Sequence, residues 1–153
     1  TTSEAGSSDG QFDQGISEKL DVLAAINYCF DQLKVKELYV IGWSFGTELA
    51  LKYARDKRIK ELILLSPPMI ATNDEDLAFW KADGRPITAL IPEHDDYLKP
   101  DAARMRFSKL PNLKQLDVAG AKHLWVGEPM VYLVLSEIVK IIAPSRLPLP
   151  TEI

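Results

Sequence analysis

Apolar side chains between residues 16 and 33 fall at the three- and four-residue intervals of a helix: Ile16, Leu20, Leu23, Ile26, Phe30 and Leu33. That spacing predicts a helix with one buried face. The period then changes. Residues 37–42 form a short run rich in β-branched and aromatic side chains and predict a buried strand, while 44–55 return to helical spacing through Leu49, Leu51 and Tyr53. Residues 61–66 predict a second buried strand, stopped by Pro67-Pro68. A short helix is expected over 73–82, with Thr72 and Glu75 at capping-box spacing. Further strands are predicted over 86–91 and 113–118, with a helix between them over 99–110. The last helix, 129–142, is apolar nearly all round and is therefore expected to be well buried.

Alternating strands and helices, with strands apolar on both faces, predict an α/β fold: a mostly parallel sheet with helices on both faces. The expected organisation is an N-terminal loop over 1–15, one α/β core over 16–143 and a Pro-rich tail over 144–153. The loop is expected from its Gly and Ser content, with turns at Asp9-Gly10 and around Gly15. The tail is expected to be extended and stiff, a plain terminus rather than an SH3 ligand despite its PxxP-like spacing.

Composition narrows the partners. The chain has 153 residues, 46% of them hydrophobic and 26% charged, enough to bury one core. Eighteen Lys and Arg against 22 Asp and Glu give a formal charge of −4, which supplies no attraction to nucleic acid or an anionic membrane. No apolar run approaches the roughly 18 residues of a membrane span. Cys29 has no internal disulfide partner. It lies close to the apolar face of the first helix and is expected to be a quiet, buried thiol, which fits a reducing, cytoplasmic compartment.

The chemistry concentrates at Gly42-Trp43-Ser44-Phe45-Gly46, placed where a predicted strand meets a predicted helix. A G-x-S-x-G turn there presents the serine on a strained backbone, and glycines two before and two after it avoid collisions. The helix beginning at the serine aims its N-terminal amides at the reacting group. A serine nucleophile needs a base and an orienting acid. His123 follows the fourth predicted strand in a loop leading to the last helix, a suitable place for the base. The loop after the third strand, Pro92-Glu93-His94-Asp95-Asp96-Tyr97, offers the acid. Asp95 is the first choice, Asp96 the second and Glu93 the third. A metal site built from Glu93, His94, Asp95 and Asp96 is disfavoured, because adjacent side chains diverge and no second ligand cluster exists. No cofactor is expected.

These motifs give the chain its resemblance. Residues 6–15 (GSSDGQFDQG), Gly42-Trp43-Ser44-Phe45-Gly46, Glu93-His94-Asp95 and Gly120-Ala121-Lys122-His123 together resemble the α/β-hydrolase superfamily. Within it they are most similar to small, cap-less serine hydrolases akin to dienelactone hydrolases and short-chain acyl esterases. The resemblance implies a Ser44–Asp95–His123 triad, an oxyanion-hole donor at the backbone N–H of Phe45, and a small-molecule ester or thioester substrate. Only about twenty residues separate Ser66 from Pro86, so no large lid is expected over the pocket. Trp43 and Trp125 are expected beside the substrate. Met69, Phe79 and Trp80 are read first as packing of the short helix and second as an acyl pocket.

The family's sheet has more strands than the four read here, and the loop that supplies its second oxyanion donor would precede them. Losing one such donor costs on the order of 3 kcal/mol. With Thr1 in place of an initiator Met, these points lead to the expectation that the chain is the C-terminal part of a longer enzyme. An N-terminal segment of the same protein would then complete the fold. Two other functions are compatible with the residues: a non-catalytic scaffold that keeps the elbow as architecture, and acyl transfer from the same nucleophile.

Overall fold

A computed structural model describes residues 17–151. The loop expected over 1–15, the motif at 6–15 and the helix start at Ile16 lie outside the described residues, as do the last two residues of the tail. Chain order runs α1 (Glu18–Asn27), a π-helical turn (Tyr28–Gln32), β1 (Leu38–Trp43), α2 (Phe45–Tyr53) and β2 (Ile59–Leu65). It continues through α3 (Asp74–Asp83), β3 (Ile87–Pro92), α4 (Pro100–Phe107), β4 (Leu113–Val118) and α5 (Glu128–Ile142). The strands form one parallel sheet in the order β1-β2-β3-β4, with Gly42 opposite Leu64, Leu64 opposite Ala89 and Ala89 opposite Gln115.

The two-residue alternation of side chains along a strand divides the core. Leu62 and Leu64 of β2, with Ile87, Ala89 and Ile91 of β3, pack with Ile26, Leu51, Leu77, Trp80 and Phe107 from α1 to α4. Ile63, Leu65 and Leu90 face the other way and pack with Val118, Val134 and Ile138. Among the described residues four helices thus serve one face and α5 alone serves the other, so β2 and β3 are covered on both sides as a parallel sheet requires.

The thin side of this arrangement corrects two expectations. The last helix is not buried all round: Val134 and Ile138 are buried, but Val131 and Leu135 are 46% and 47% exposed. A single helix on a face can bury only the stripe that meets the sheet, whatever its other sides carry. Nor is β1 buried on both faces, since Ile41 is 45% and Trp43 49% exposed. They share a face with Ile63 and Leu65 but sit beyond the reach of α5.

Local signals also moved. The α3 cap is Asn73 with Asp76, one residue beyond the expected Thr72 and Glu75: Asn73 Oδ1 accepts from the Asp76 amide at 3.0 Å and Asp76 Oδ2 from the Asn73 amide at 2.9 Å. Thr72 is buried instead, with its hydroxyl donating to Glu48. Cys29 sits in the π-helical turn and is half-buried rather than buried. The tail does not run straight on: Pro144–Arg146 make a 3-10 turn, and the Tyr132 hydroxyl donates to the Leu149 carbonyl at 3.1 Å, which holds the tail against α5.

Arg85 ties the sheet's far end together by donating to the carbonyls of Arg55, Asp56 and Ile59, while Asp83 accepts from it at 2.5 Å. The hydrogen bond from Arg85 holds the Asp83 carboxyl below the ordinary aspartate range against the opposing effect of burial. A carboxyl lowered in the folded state contributes stability above its unfolded pKa and loses it as pH falls through the folded value. Asp83→Asn is therefore expected to reduce the rise of the urea midpoint as pH increases from the acid side to about pH 5, relative to the parent chain. Identical slopes would show that the pair contributes nothing.

Candidate active site

Ser44 joins β1 to α2 with φ 52° and ψ −125°, a conformation that costs a non-glycine residue energy and persists only where its surroundings enforce it. The surroundings are on both sides. The Ser44 amide donates to the Leu65 carbonyl at 2.9 Å, and the Ser44 carbonyl accepts from the Thr47 amide at 2.9 Å and the Thr47 hydroxyl at 2.6 Å. Gly42 is required by contact. A Cβ there would lie 2.6 Å from the Gly46 carbonyl oxygen and 2.7 Å from Thr47 Cα. Gly46 is different from the expectation, because a Cβ on it would meet nothing within 4 Å. It faces a cavity rather than a packed neighbour.

The loop after β4 brings His123 across the elbow. Its Nε2 lies 2.8 Å from Ser44 Oγ and its Nδ1 2.9 Å from Asp95 Oδ2. Asp95 is 1% exposed and spends its other oxygen on the amides of Tyr97 and Leu98, at 2.8 and 3.2 Å. Three donors converge on this carboxyl once Nδ1 carries its proton, which fixes both the carboxyl and the imidazole. Of the other acids in the loop, Asp96 is exposed and Glu93 accepts from the Gly120 amide at 2.6 Å, latching the Asp95 loop to the His123 loop. His94 lies on the surface beside Glu93. Among the described residues, no three His, Cys, Asp or Glu side chains converge as a metal-binding group.

The two tryptophans take different places, and neither lines the cleft at Ser44. Trp43 stands beside His123, with ring centroids 6.3 Å apart, and its indole N–H donates to the His123 carbonyl at 3.2 Å, which ties it to the histidine loop. Trp125 is 6% exposed and packs in the core under α5, away from the cleft at Ser44. Met69, Phe79 and Trp80 pack in the opposite core, with the Trp80 indole donating to the Leu51 carbonyl at 2.8 Å. Phe45 is the first residue of α2, directly after the nucleophile candidate.

The cleft itself measures about 450 Å³ and is lined by Ser44, Phe45, Glu48, Pro68, Ile70, Ala71 and Tyr97. Five of these, all but Ser44 and Phe45, escaped the sequence reading. Tyr97 has its ring centroid 4.8 Å from that of His123, and Ile70 is 73% exposed at the rim. Glu48 is 1% exposed, and one of its oxygens accepts from the Ala71 amide, the Thr72 amide and the Thr72 hydroxyl at 2.5, 2.7 and 3.1 Å. It pins the wall of the cleft to the helix that starts at Ser44. A signal existed, since a glutamate at that position interrupts a helix segment otherwise destined for the core. Glu48→Ala leaves three donors unmet and is expected to cost about 2–3 kcal/mol in urea unfolding. Glu48→Gln, which keeps an acceptor, should restore much of that stability. A urea midpoint unchanged in Glu48→Ala would show that these three bonds contribute nothing.

Comparison with known proteins follows the same outline. A family model of the alpha/beta hydrolase fold matches residues 3–85. An uncharacterized protein of Rickettsia prowazekii is 26% identical over 109 residues, 70% of this chain and 46% of that protein. The chain thus spans about half the length of the curated relative it matches. Among solved structures, a lid-less α/β serine hydrolase from Xanthomonas campestris superposes with a TM-score of 0.70 at 20% identity, covering 96% of this chain and 65% of that one. Est1E from Butyrivibrio proteoclasticus, with ferulic acid bound, superposes with a TM-score of 0.73 at 19% identity, covering 93% of this chain and 73% of that one.

Proposed function

The chain belongs to the α/β-hydrolase fold family, and from that premise we propose that it is a serine hydrolase acting on small carboxylic esters or thioesters. One observation carries the reading: the His123 ring bridges Ser44 Oγ and Asp95 Oδ2 at 2.8 and 2.9 Å. With Nδ1–H held by Asp95, Nε2 is the acceptor for the Ser44 proton. Ser44 Oγ attacks the acyl carbon as His123 takes that proton, and the tetrahedral oxyanion is met by amides that include the Phe45 N–H. Collapse breaks the bond to the leaving oxygen or sulfur, which departs with the proton from His123. Water, deprotonated by the same ring, then releases the acid and regenerates Ser44. Pro68, Ile70, Ala71 and Tyr97 favour an apolar acyl or aryl group of modest size. The bound aromatic acid in Est1E is consistent with that preference.

Two further parts belong to this proposal. The outer edge of β1 is unpaired among the described residues, and a preceding segment of the same protein is the partner that would cover it. Among the described residues no helix is long and apolar enough to cross a membrane, and the free thiol of Cys29 suits a cytoplasmic setting. The test of the catalytic reading is labelling with a fluorophosphonate, read by intact mass. One adduct on the chain, absent from Ser44→Ala, is the expected result. A chain that stays unlabelled overturns the activated serine and favours the scaffold reading.

A further inference from the structure

A cavity of about 280 Å³ runs along the free side of β1, walled by Glu18, Asp21, Val22 and Ala25 of α1, residues 40–43 of β1, and Gly46, Leu49 and Ala50 of α2. Glu18 is fully buried in that wall, and neither of its carboxyl oxygens has a hydrogen-bond partner. A carboxyl removed from water without a partner is among the costlier groups a fold can carry, and buried polar atoms are paired as a rule. Among the described residues none supplies the missing partner. All 18 of its Lys and Arg lie between Lys19 and Arg146, inside the described residues, and none reaches Glu18. Residues 1–16 and 152–153 hold no basic side chain.

We propose that Glu18 is a socket for a guanidinium or ammonium group carried by the β-strand that pairs with the outer edge of β1. The occupant is a strand preceding this chain in the same protein, so the inference rests on the partner reading above and adds its chemistry. Charge complementarity supports it, because the carboxyl on this wall without a hydrogen-bond partner is that of Glu18. Shape supports it too: Gly46 presents bare backbone to the cavity, with no atom within 4 Å of where its Cβ would stand, and an extended chain can approach there. Among the described residues the edge is unpaired, and strand addition satisfies such an edge by main-chain hydrogen bonds while one side chain fills a pocket. The 46% share of the curated relative leaves ample sequence for such a strand.

The test uses two synthetic octapeptides of alternating Thr and Val that differ at one central residue, arginine or its neutral isostere citrulline. Each is titrated into the 15N-labelled chain and followed at the amides of Leu38–Trp43. The expected result is binding of the arginine peptide at least tenfold tighter than the citrulline peptide, with the difference erased in Glu18→Gln. Equal binding of the two peptides to the parent chain would leave strand addition standing and overturn the cation socket. An arginine preference that survives Glu18→Gln would also overturn it. No shifts with either peptide would overturn the strand reading as well. None of these outcomes depends on Ser44, so the hydrolase reading stands or falls separately, and the comparison on the parent chain needs no variant to fold.

Discussion

Ser44→Ala is expected to lower turnover of an activated ester by about four to six orders of magnitude and to leave the stability in urea within about 0.5 kcal/mol of the parent. The size of the first effect follows from the arrangement. The imidazole is held at both nitrogens, 2.9 Å from a buried carboxyl and 2.8 Å from the hydroxyl, so no other side chain can inherit the proton transfer once Oγ is gone. What remains is the polar environment of the elbow acting on water, which in serine hydrolases supplies only a residual rate. The second effect is small because Ser44 holds its place through backbone bonds to Leu65 and Thr47, none of which uses Oγ. Kinetics with p-nitrophenyl acetate and a urea titration on the same preparations check both numbers. A variant that keeps a tenth of the parent rate would remove Ser44 from the chemistry. An unfolded variant would mean that the strained turn depends on the hydroxyl.

The elbow and the sheet were legible in the sequence for a common reason. β3 and residues 62–65 of β2 are buried on both faces and so appear as unbroken apolar runs, and the serine lies where the apolar run of β1 gives way to helical spacing. Asp95 and His123 were legible because they follow strands whose ends were already located. The failures have a different origin. Periodicity reports which side chains favour burial but not how many neighbours exist to bury them. Val131 and Leu135 therefore read as core and are half exposed, and Ile41 read as strand interior and is nearly half exposed too. Trp125 adopts φ 52° and turns its ring under α5, a backbone choice that no spacing rule anticipates for tryptophan. Glu48 was passed over because a charged residue inside a helix is ordinarily solvated, whereas here three donors of the cleft wall meet it. Each miss lies at a contact between segments far apart in the chain, or at a surface where such a contact is lacking.

Gly42→Ala and Gly46→Ala are expected to act in opposite directions, although the motif treats the two glycines alike. A methyl group on Gly42 would stand 2.6 Å from the Gly46 carbonyl oxygen and 2.7 Å from both the Gly46 carbonyl carbon and Thr47 Cα. All three are backbone atoms, so relief requires moving the first turn of α2 away from β1, and Ser44 is the hinge between them. Overpacking of that kind costs about 3 kcal/mol, and a displacement of about 1 Å at the nucleophile costs a hundredfold or more in rate. Gly46→Ala meets no atom within 4 Å, and alanine in a helix is favoured over glycine by about 0.5–1 kcal/mol. The urea midpoint of this chain should therefore rise with Gly46→Ala while fluorophosphonate labelling proceeds near the parent rate. That gain is a property of the open cavity. Once a strand lies along β1 the same methyl group would press against its backbone, so the substitution that stabilises the chain by itself should weaken capture of the strand. A loss of stability from Gly46→Ala as large as that from Gly42→Ala would mean that the cavity is already closed in solution, with no space left for an incoming strand.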